Sequence, residues 1–133
     1  MLSISQLDEA DRALYEEAQA AAQMAYAPYS HLRVGAAIRT EHGTYHACNV
    51  ENASLGLTMC AERSSVFAAI AAEGPDVTIL AVAVYAEAHQ ASPCGACRQV
   101  LAEFAPAAKL IFRVSDGISV TNVSRSLPFR FDL

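Results

Sequence analysis

The most informative parts of this sequence are two segments, Cys60-Ala61-Glu62 and Pro93-Cys94-Gly95-Ala96-Cys97. Cys94 and Cys97 are three residues apart, so the first turn of a helix would present both thiols on one face. Cys60 and Glu62 are two residues apart and can converge only if Cys60 precedes the first helical residue, where its dihedrals need not be helical. Each segment therefore indicates a helix N-terminus, and one predicted strand separates the two helices.

The residue types in these segments are those of a catalytic zinc site. Cys60, Cys94 and Cys97 offer three thiolates, and a zinc ion with three protein ligands keeps its fourth position open for water. Glu62 is the candidate proton carrier beside that water, first as base and then as acid. Three thiolates outweigh the charge of one Zn²⁺ ion. Arg63 is placed to donate hydrogen bonds to the sulfurs and withdraw part of the excess charge.

Each of these features also has a simpler interpretation. A single Cys-x-x-Cys pair is most often a structural zinc site or a redox pair. The fourth cysteine, Cys48, could close a structural site with the other three, and the domain would then serve assembly and not catalysis. The joint occurrence of both segments at helix starts favours the open site. We expect Cys48 to be a core thiol of a β-hairpin.

Composition limits the class of protein and its partners. The net charge of −5 disfavours a nucleic acid polymer, whose phosphates require a basic surface. No apolar run approaches the ~18 residues of a membrane span, and the N-terminal residues lack the pattern of a secretory signal. We therefore expect a cytoplasmic protein with reduced thiols and no membrane partner. An apolar content of 53% indicates that some surface is buried in an oligomer.

Hydrophobic periodicity predicts the element order α-β-β-α-β-α-β-β within a single domain, residues 1–133. The predicted helices cover residues 7–26, 60–72 and 94–105, and the predicted strands cover residues 33–40, 44–49, 77–85, 109–114 and 118–120. The strand–helix–strand unit over residues 77–114 should be a parallel crossover. We therefore predict an α/β fold in which helices flank a mixed five-stranded sheet, a three-layer α/β/α arrangement.

Longer strings of the sequence closely resemble the small homotetrameric zinc-dependent cytidine deaminases. The strings are Tyr29-Ser30-His31-Leu32-Arg33-Val34-Gly35-Ala36-Ala37, Cys48-Asn49-Val50-Glu51-Asn52-Ala53, Cys60-Ala61-Glu62-Arg63 and Ser92-Pro93-Cys94-Gly95-Ala96-Cys97-Arg98-Gln99. The likeness spans nearly the whole chain. Its specific part is Asn49-Val50-Glu51-Asn52, because the cysteine and glutamate pattern alone indicates only the deaminase superfamily.

The resemblance implies hydrolysis of cytidine and 2′-deoxycytidine to the corresponding uridines, with release of ammonia, in pyrimidine salvage. It assigns one zinc ion per subunit to Cys60, Cys94 and Cys97, and proton transfer to Glu62. The implied partners are a nucleoside and water, in a homotetramer with shared active sites.

The resemblance also implies a set of substrate contacts. Asn49 and Glu51 match the pair that hydrogen-bonds the ribose 3′-hydroxyl. The Ala61 N–H would hold the ring carbonyl, and the Ser92 carbonyl would accept from the exocyclic amine. Phe131 matches an aromatic residue that a neighbouring subunit stacks on the pyrimidine, and simple packing of an apolar tail explains it equally well.

Two positions depart from the family pattern and keep other activities open. Leu32 stands where a phenylalanine usually packs beside the nucleoside, and Leu55 replaces a common tyrosine. These changes are compatible with a deaminase of another aminated heterocycle, such as blasticidin S, whereas Asn49 and Glu51 favour a sugar diol. A polynucleotide deaminase is a further alternative, which the acidic charge disfavours.

Overall fold

The computed structural model of this protein describes residues 1–87 and 90–133, and its main elements follow the predicted order. The helices are α1 (Glu9–Ala22), α2 (Ala61–Glu73), α3 (Gly95–Phe104) and α4 (Val123–Ser126), and the strands are β1 (Val34–Thr40), β2 (Thr44–Cys48), β3 (Ile79–Ala86), β4 (Lys109–Val114) and β5 (Gly117–Asn122). The short helix α4 and two 3-10 turns, Ile4–Gln6 and Leu55–Leu57, are additions to the predicted elements.

The five strands form one mixed sheet in the order β2-β1-β3-β4-β5. β1 pairs antiparallel with both β2 and β3, and β4 pairs antiparallel with β5. β3 and β4 run parallel, with Ala81 opposite Lys109. The predicted parallel crossover through α3 is therefore confirmed, and it brings the N-terminus of α3 to the end of the sheet where β3 finishes.

Helices cover both faces of this sheet, because successive side chains of a strand point to opposite sides. Ala81 and Ala83 of β3 pack against α1 on one face. Val82 and Val84, which alternate with these alanines, belong to the core on the other face, together with residues of α2 and α3. The predicted three-layer α/β/α arrangement is confirmed, and the thiol-bearing helices share one layer.

The first helix is shorter than predicted at both ends. It begins at Glu9 because the Asp8 carboxylate caps it, accepting from the Asp11 N–H at 2.8 Å. It ends at Ala22, and Tyr26 instead pairs with the loop after β2, donating to the Asn49 carbonyl at 3.1 Å. These loop contacts bring Asn49 and Glu51 beside the start of β1.

Cys48 is the last residue of β2, a strand at the edge of the sheet, and it is only partly buried. The prediction of a core thiol is therefore wrong, because an edge strand has a sheet neighbour on one side only. Among the helices of residues 1–87 and 90–133, none has the length and apolar character required to cross a membrane.

Candidate metal centre and active site

Two helix N-termini meet at the cysteines. Cys60 is the N-cap residue of α2, with φ −73° and ψ 150°, and Cys94 is the N-cap residue of α3, with φ −66° and ψ 168°. Both residues are thus extended, while Glu62 and Cys97 lie in the first turns that follow. The predicted position of Cys60 before its helix is confirmed, and this position allows Cys60 and Glu62 to approach the same point.

The three sulfurs form a group that fits a zinc ion. The Sγ atoms of Cys60, Cys94 and Cys97 all lie within 4.8 Å of one another, and those of Cys60 and Cys94 are 4.0 Å apart. Tetrahedral zinc–sulfur bonds of about 2.3 Å place two sulfurs about 3.8 Å apart. Cys48 is not a member of this group, which disfavours the closed four-cysteine site.

Hydrogen bonds divide the charge within this group of thiols. A hydrogen bond from Cys97, supported by Arg63, lowers the pKa of Cys60 to about 5. The hydrogen bond with Cys60, together with burial, raises the pKa of Cys97. Arg63 Nη2 donates to Cys60 Sγ at 3.3 Å, which is the contact expected of a group that withdraws charge from the sulfur.

Glu62 is a buried carboxyl group at the edge of the thiol group. The residue is 6% exposed, and Oε2 lies 3.8 Å from Cys97 Sγ. Burial raises the pKa of Glu62 to about 7. A carboxyl group with a pKa near neutrality can both accept and release a proton, which is the property required of a combined base and acid.

A cavity of about 240 Å³ lies beside Glu62, and most of the predicted site residues line it. Its lining includes Leu32, Asn49, Glu51, Cys60, Ala61, Glu62, Ser92 and Cys94. Cys97 and Arg63 do not line it. Phe131 lies outside it on the C-terminal segment and is 69% exposed, and Leu55 is similarly exposed in the second 3-10 turn.

Asn49 and Glu51 are held rigidly by the backbone around them. Asn49 accepts from the Val34 N–H and donates to the Leu32 carbonyl, both at 2.8 Å. Glu51 Oε1 accepts from the N–H groups of Tyr29 and Ser30, at 2.9 and 3.1 Å. Hydrogen bonding by Ser30 and by these N–H groups lowers the pKa of Glu51, so its side chain lines the cavity as a carboxylate.

Sequence reasoning did not identify several other residues that line the cavity. These are Ser30, Val34, Thr58, Ala86, Gln90 and Ala91. Ser30 and Val34 lie within a string that carries the family resemblance, and Thr58 lies two residues before Cys60. Their closeness in sequence to the motifs could have indicated these three, and Gln90 and Ala91 likewise directly precede Ser92. Ala86 is the last residue of β3, and no motif of the sequence marks it.

Comparisons with known proteins agree with this arrangement. The family described as "Cytidine and deoxycytidylate deaminase zinc-binding region" matches residues 8–114. The chain is 41% identical over 121 residues to a cytidine deaminase of Sporosarcina psychrophila, covering 89% of this chain and 88% of that protein. A crystal structure of cytidine deaminase from Burkholderia pseudomallei superposes with a TM-score of 0.82 at 44% identity, covering 90% of this chain and 97% of that one.

A blasticidin-S deaminase of Bacillus cereus is a more distant relative, 29% identical over 133 residues and covering 94% of both chains. The 41% identity to the cytidine deaminase of Sporosarcina psychrophila accords with the resemblance inferred from the sequence strings. Fold, thiol group and similarity agree, and the chain belongs to the zinc-binding cytidine and deoxycytidylate deaminase family.

Proposed function

We propose that this protein hydrolyses cytidine and 2′-deoxycytidine to uridine and 2′-deoxyuridine, with release of ammonia. The observation that carries the proposal is the composition of one cavity. Its lining joins the buried Glu62 carboxyl group and two thiols of the zinc-binding group to Asn49 and Glu51. An amide and a carboxylate suit the hydroxyl groups of a sugar, and the carboxylate repels a phosphate. The cavity therefore favours a nucleoside over a nucleotide.

In the proposed mechanism, proton transfer belongs to Glu62. Zinc held by Cys60, Cys94 and Cys97 would supply the activation of water at neutral pH. Glu62 accepts a proton from the water while the water oxygen bonds to C4 of cytosine. Glu62 then delivers that proton to N3. Glu62 then relays the second proton of the water from the new hydroxyl group to the amino group. The C4–N bond breaks, ammonia leaves, and the C4 carbonyl of uracil forms.

The other residues of the cavity orient the nucleoside. We propose that Asn49 and Glu51 hold the ribose 3′-hydroxyl, since backbone contacts fix both side chains at the cavity wall. The Ala61 N–H, in the first turn of α2, would donate to the ring carbonyl. The Ser92 carbonyl would accept from the exocyclic amine, and Leu32 would pack against the nucleoside.

We further propose a homotetramer in which subunits share active sites. Phe131 does not line the cavity of its own protomer, and the residue is largely exposed. A cavity of about 240 Å³ is also smaller than the roughly 300–1,000 Å³ of most ligand sites. A ring from a second copy would extend the cavity over the base. Reduced thiols and a nucleoside substrate suit a role in pyrimidine salvage in the cytoplasm.

A substrate panel tests the proposal directly. Purified protein is incubated with cytidine, 2′-deoxycytidine, deoxycytidine monophosphate, blasticidin S and a single-stranded DNA oligonucleotide, and ammonia release is followed. We expect turnover of both nucleosides and poor turnover of the other three. A zinc chelator should abolish the activity and added zinc should restore it, with the same behaviour in Cys48→Ser. Turnover of blasticidin S or DNA without turnover of either nucleoside would contradict the proposal. Activity that persists after complete zinc removal would contradict it as well.

A further inference from the structure

We propose that Gln99 is a positioning residue that holds the C-terminal segment, residues 127–133, so that the Phe131 ring is presented to a second copy of this chain. The inference rests on the proposed function, in which Phe131 completes the base-binding site of a neighbouring subunit. It adds a residue to which the cysteine and glutamate pattern assigns no role. Gln99 lies in α3, two residues after Cys97.

One side-chain amide satisfies both main-chain groups of Phe131. Gln99 Nε2 donates to the Phe131 carbonyl at 2.9 Å, and the Phe131 N–H donates to Gln99 Oε1 at 3.1 Å. These paired bonds restrain the peptide groups on both sides of the Phe131 Cα atom. The direction in which the side chain leaves the backbone is therefore restrained, although the residue itself remains 69% exposed.

Further contacts tie the segment and the residues before it to the same helix. Arg130 Nη1 donates to the Ala102 carbonyl near the end of α3. Arg98, also in α3, donates through Nη1 to the Ser126 carbonyl at 2.9 Å. The first turn of α3 carries Cys97, and its N-cap is Cys94. The C-terminal segment is thus positioned relative to the helix that supplies two of the three zinc-binding thiols.

The exposure of the anchored ring points to a partner surface. Burial of an aromatic ring is a large favourable term in folding, and this protomer leaves Phe131 69% exposed and its neighbour Phe129 95% exposed. Ordering a terminal segment also costs conformational entropy. The hydrogen bonds order this segment but do not bury its rings. Burial of the rings against another copy would offset the entropy cost of that order. In this proposal the ring is buried against the cavity of the second copy, which Phe131 does not line in its own protomer.

Gln99→Met tests the proposal, because methionine has a similar length and volume but cannot form the paired hydrogen bonds. We expect the KM for cytidine to rise about 3- to 10-fold, the range for loss of one aromatic contact, with kcat within about twofold of the wild type. Zinc content should not change. Gln19→Met is the matched control, since Gln19 is exposed on α1, and we expect it to leave KM unchanged.

A double-mutant cycle with Phe131→Ala separates positioning from a general structural effect. If Gln99 acts through the ring, Gln99→Met should raise KM no further in the Phe131→Ala background. An equal rise in both backgrounds, or an unchanged KM in the single variant, would overturn the proposal.

Hydrogen exchange distinguishes failure of this inference from failure of the proposed function. The Phe131 amide should exchange faster in Gln99→Met than in the wild type, because its acceptor is lost. An unchanged exchange rate of the Phe131 amide would overturn the proposed hold of Gln99 on the Phe131 backbone, whether or not the protein is a deaminase. Faster exchange with wild-type KM would overturn presentation of the ring. Absence of nucleoside turnover in the wild type would refute the proposed function and, with it, the presentation of the ring to a neighbouring active site, while hydrogen exchange would still report whether Gln99 holds the Phe131 backbone.

Discussion

The N-termini of α1 and α2 both bury a carboxyl group in the first turn, but they surround it differently. In α1, Asp11 is 3% exposed and pairs with Arg39 at 3.1 Å and with Lys109. In α2, Glu62 is 6% exposed and lies against Cys97, and no ion pair reaches it from the described part of the chain. Asp11 is therefore surrounded by cationic partners, whereas Glu62 is surrounded by thiols.

The two termini therefore differ in what surrounds the buried group: ion pairs at α1, and thiols at α2, where we propose that Glu62 transfers protons. A buried carboxylate is stable when cations and hydrogen bonds compensate it, and without them its pKa rises. The α1 terminus also has a carboxylate cap, Asp8, whereas a cysteine occupies the cap position of α2. Cysteine is not among the preferred N-cap residues. Local stability is therefore given up where the thiols must converge.

The largest effect is expected from Cys94→Ser, which exchanges a metal ligand for a good helix cap. Serine should hold the start of α3 at least as well as cysteine, whose Sγ is 3.5 Å from the Cys97 N–H. Zinc binding should be lost, and activity should fall by about 10³-fold or more, because metal activation of water contributes several kcal/mol. Zinc analysis, turnover and thermal unfolding in chelator check the prediction, with Cys48→Ser as control. Retained zinc and activity would refute the ligand assignment.

A somewhat smaller effect is expected from Glu62→Gln, which removes the proposed proton carrier and keeps its shape. Turnover should fall by about 10²- to 10⁴-fold, the usual contribution of general acid–base catalysis. Zinc content should stay at the wild-type level, and the melting temperature should not fall, because a neutral amide replaces a buried ionisable group. Steady-state kinetics and zinc analysis measure both properties. Activity within about tenfold of the wild type would end the assignment of proton transfer to Glu62.

The sequence could predict the parts of the site that depend on local spacing. The placement of Cys60 before α2 and of Cys97 in the first turn of α3 follows from ligand geometry within a few residues. β4 matches its predicted range, 109–114, because that apolar run is bounded by turn residues. The order of the main elements and the layers of the sheet follow from the same local periodicity.

Contacts between distant residues were beyond this reasoning. Asp11 takes a place on the buried face of α1, and its partners Arg39 and Lys109 are 28 and 98 residues away in sequence. Local pattern gives no reason to bury an aspartate there. The same limit applies to Gln99, which meets Phe131 32 residues later. Cys48 was misplaced because the sequence does not reveal that β2 is an edge strand.

Arg63→Ala should have a more moderate effect on the metal centre. Loss of the hydrogen bond to Cys60 Sγ leaves the thiolates with more negative charge and a less restrained geometry. Zinc affinity should fall by about 10- to 100-fold, as for other residues that orient metal ligands. Competition with a chelator of known affinity measures this change. Arg12→Ala, at an exposed position of α1, is the control, and wild-type zinc affinity in Arg63→Ala would refute the role.

The smallest effect on catalysis is expected from Asp11→Asn, the same chemical change as Glu62→Gln at the other terminus. It removes the charge that pairs with Arg39 and Lys109, whose side chains are 24% and 38% exposed. Solvent screening at these partners should keep the loss of unfolding free energy to about 1–3 kcal/mol, below the roughly 3–5 kcal/mol of fully buried pairs. Denaturant unfolding measures the loss, and kcat and zinc content should match the wild type. The two variants should therefore separate cleanly, since Asp11→Asn lowers stability and Glu62→Gln lowers turnover. If Asp11→Asn lowered kcat as strongly as Glu62→Gln while stability held, the division of roles between the two helix termini would be wrong.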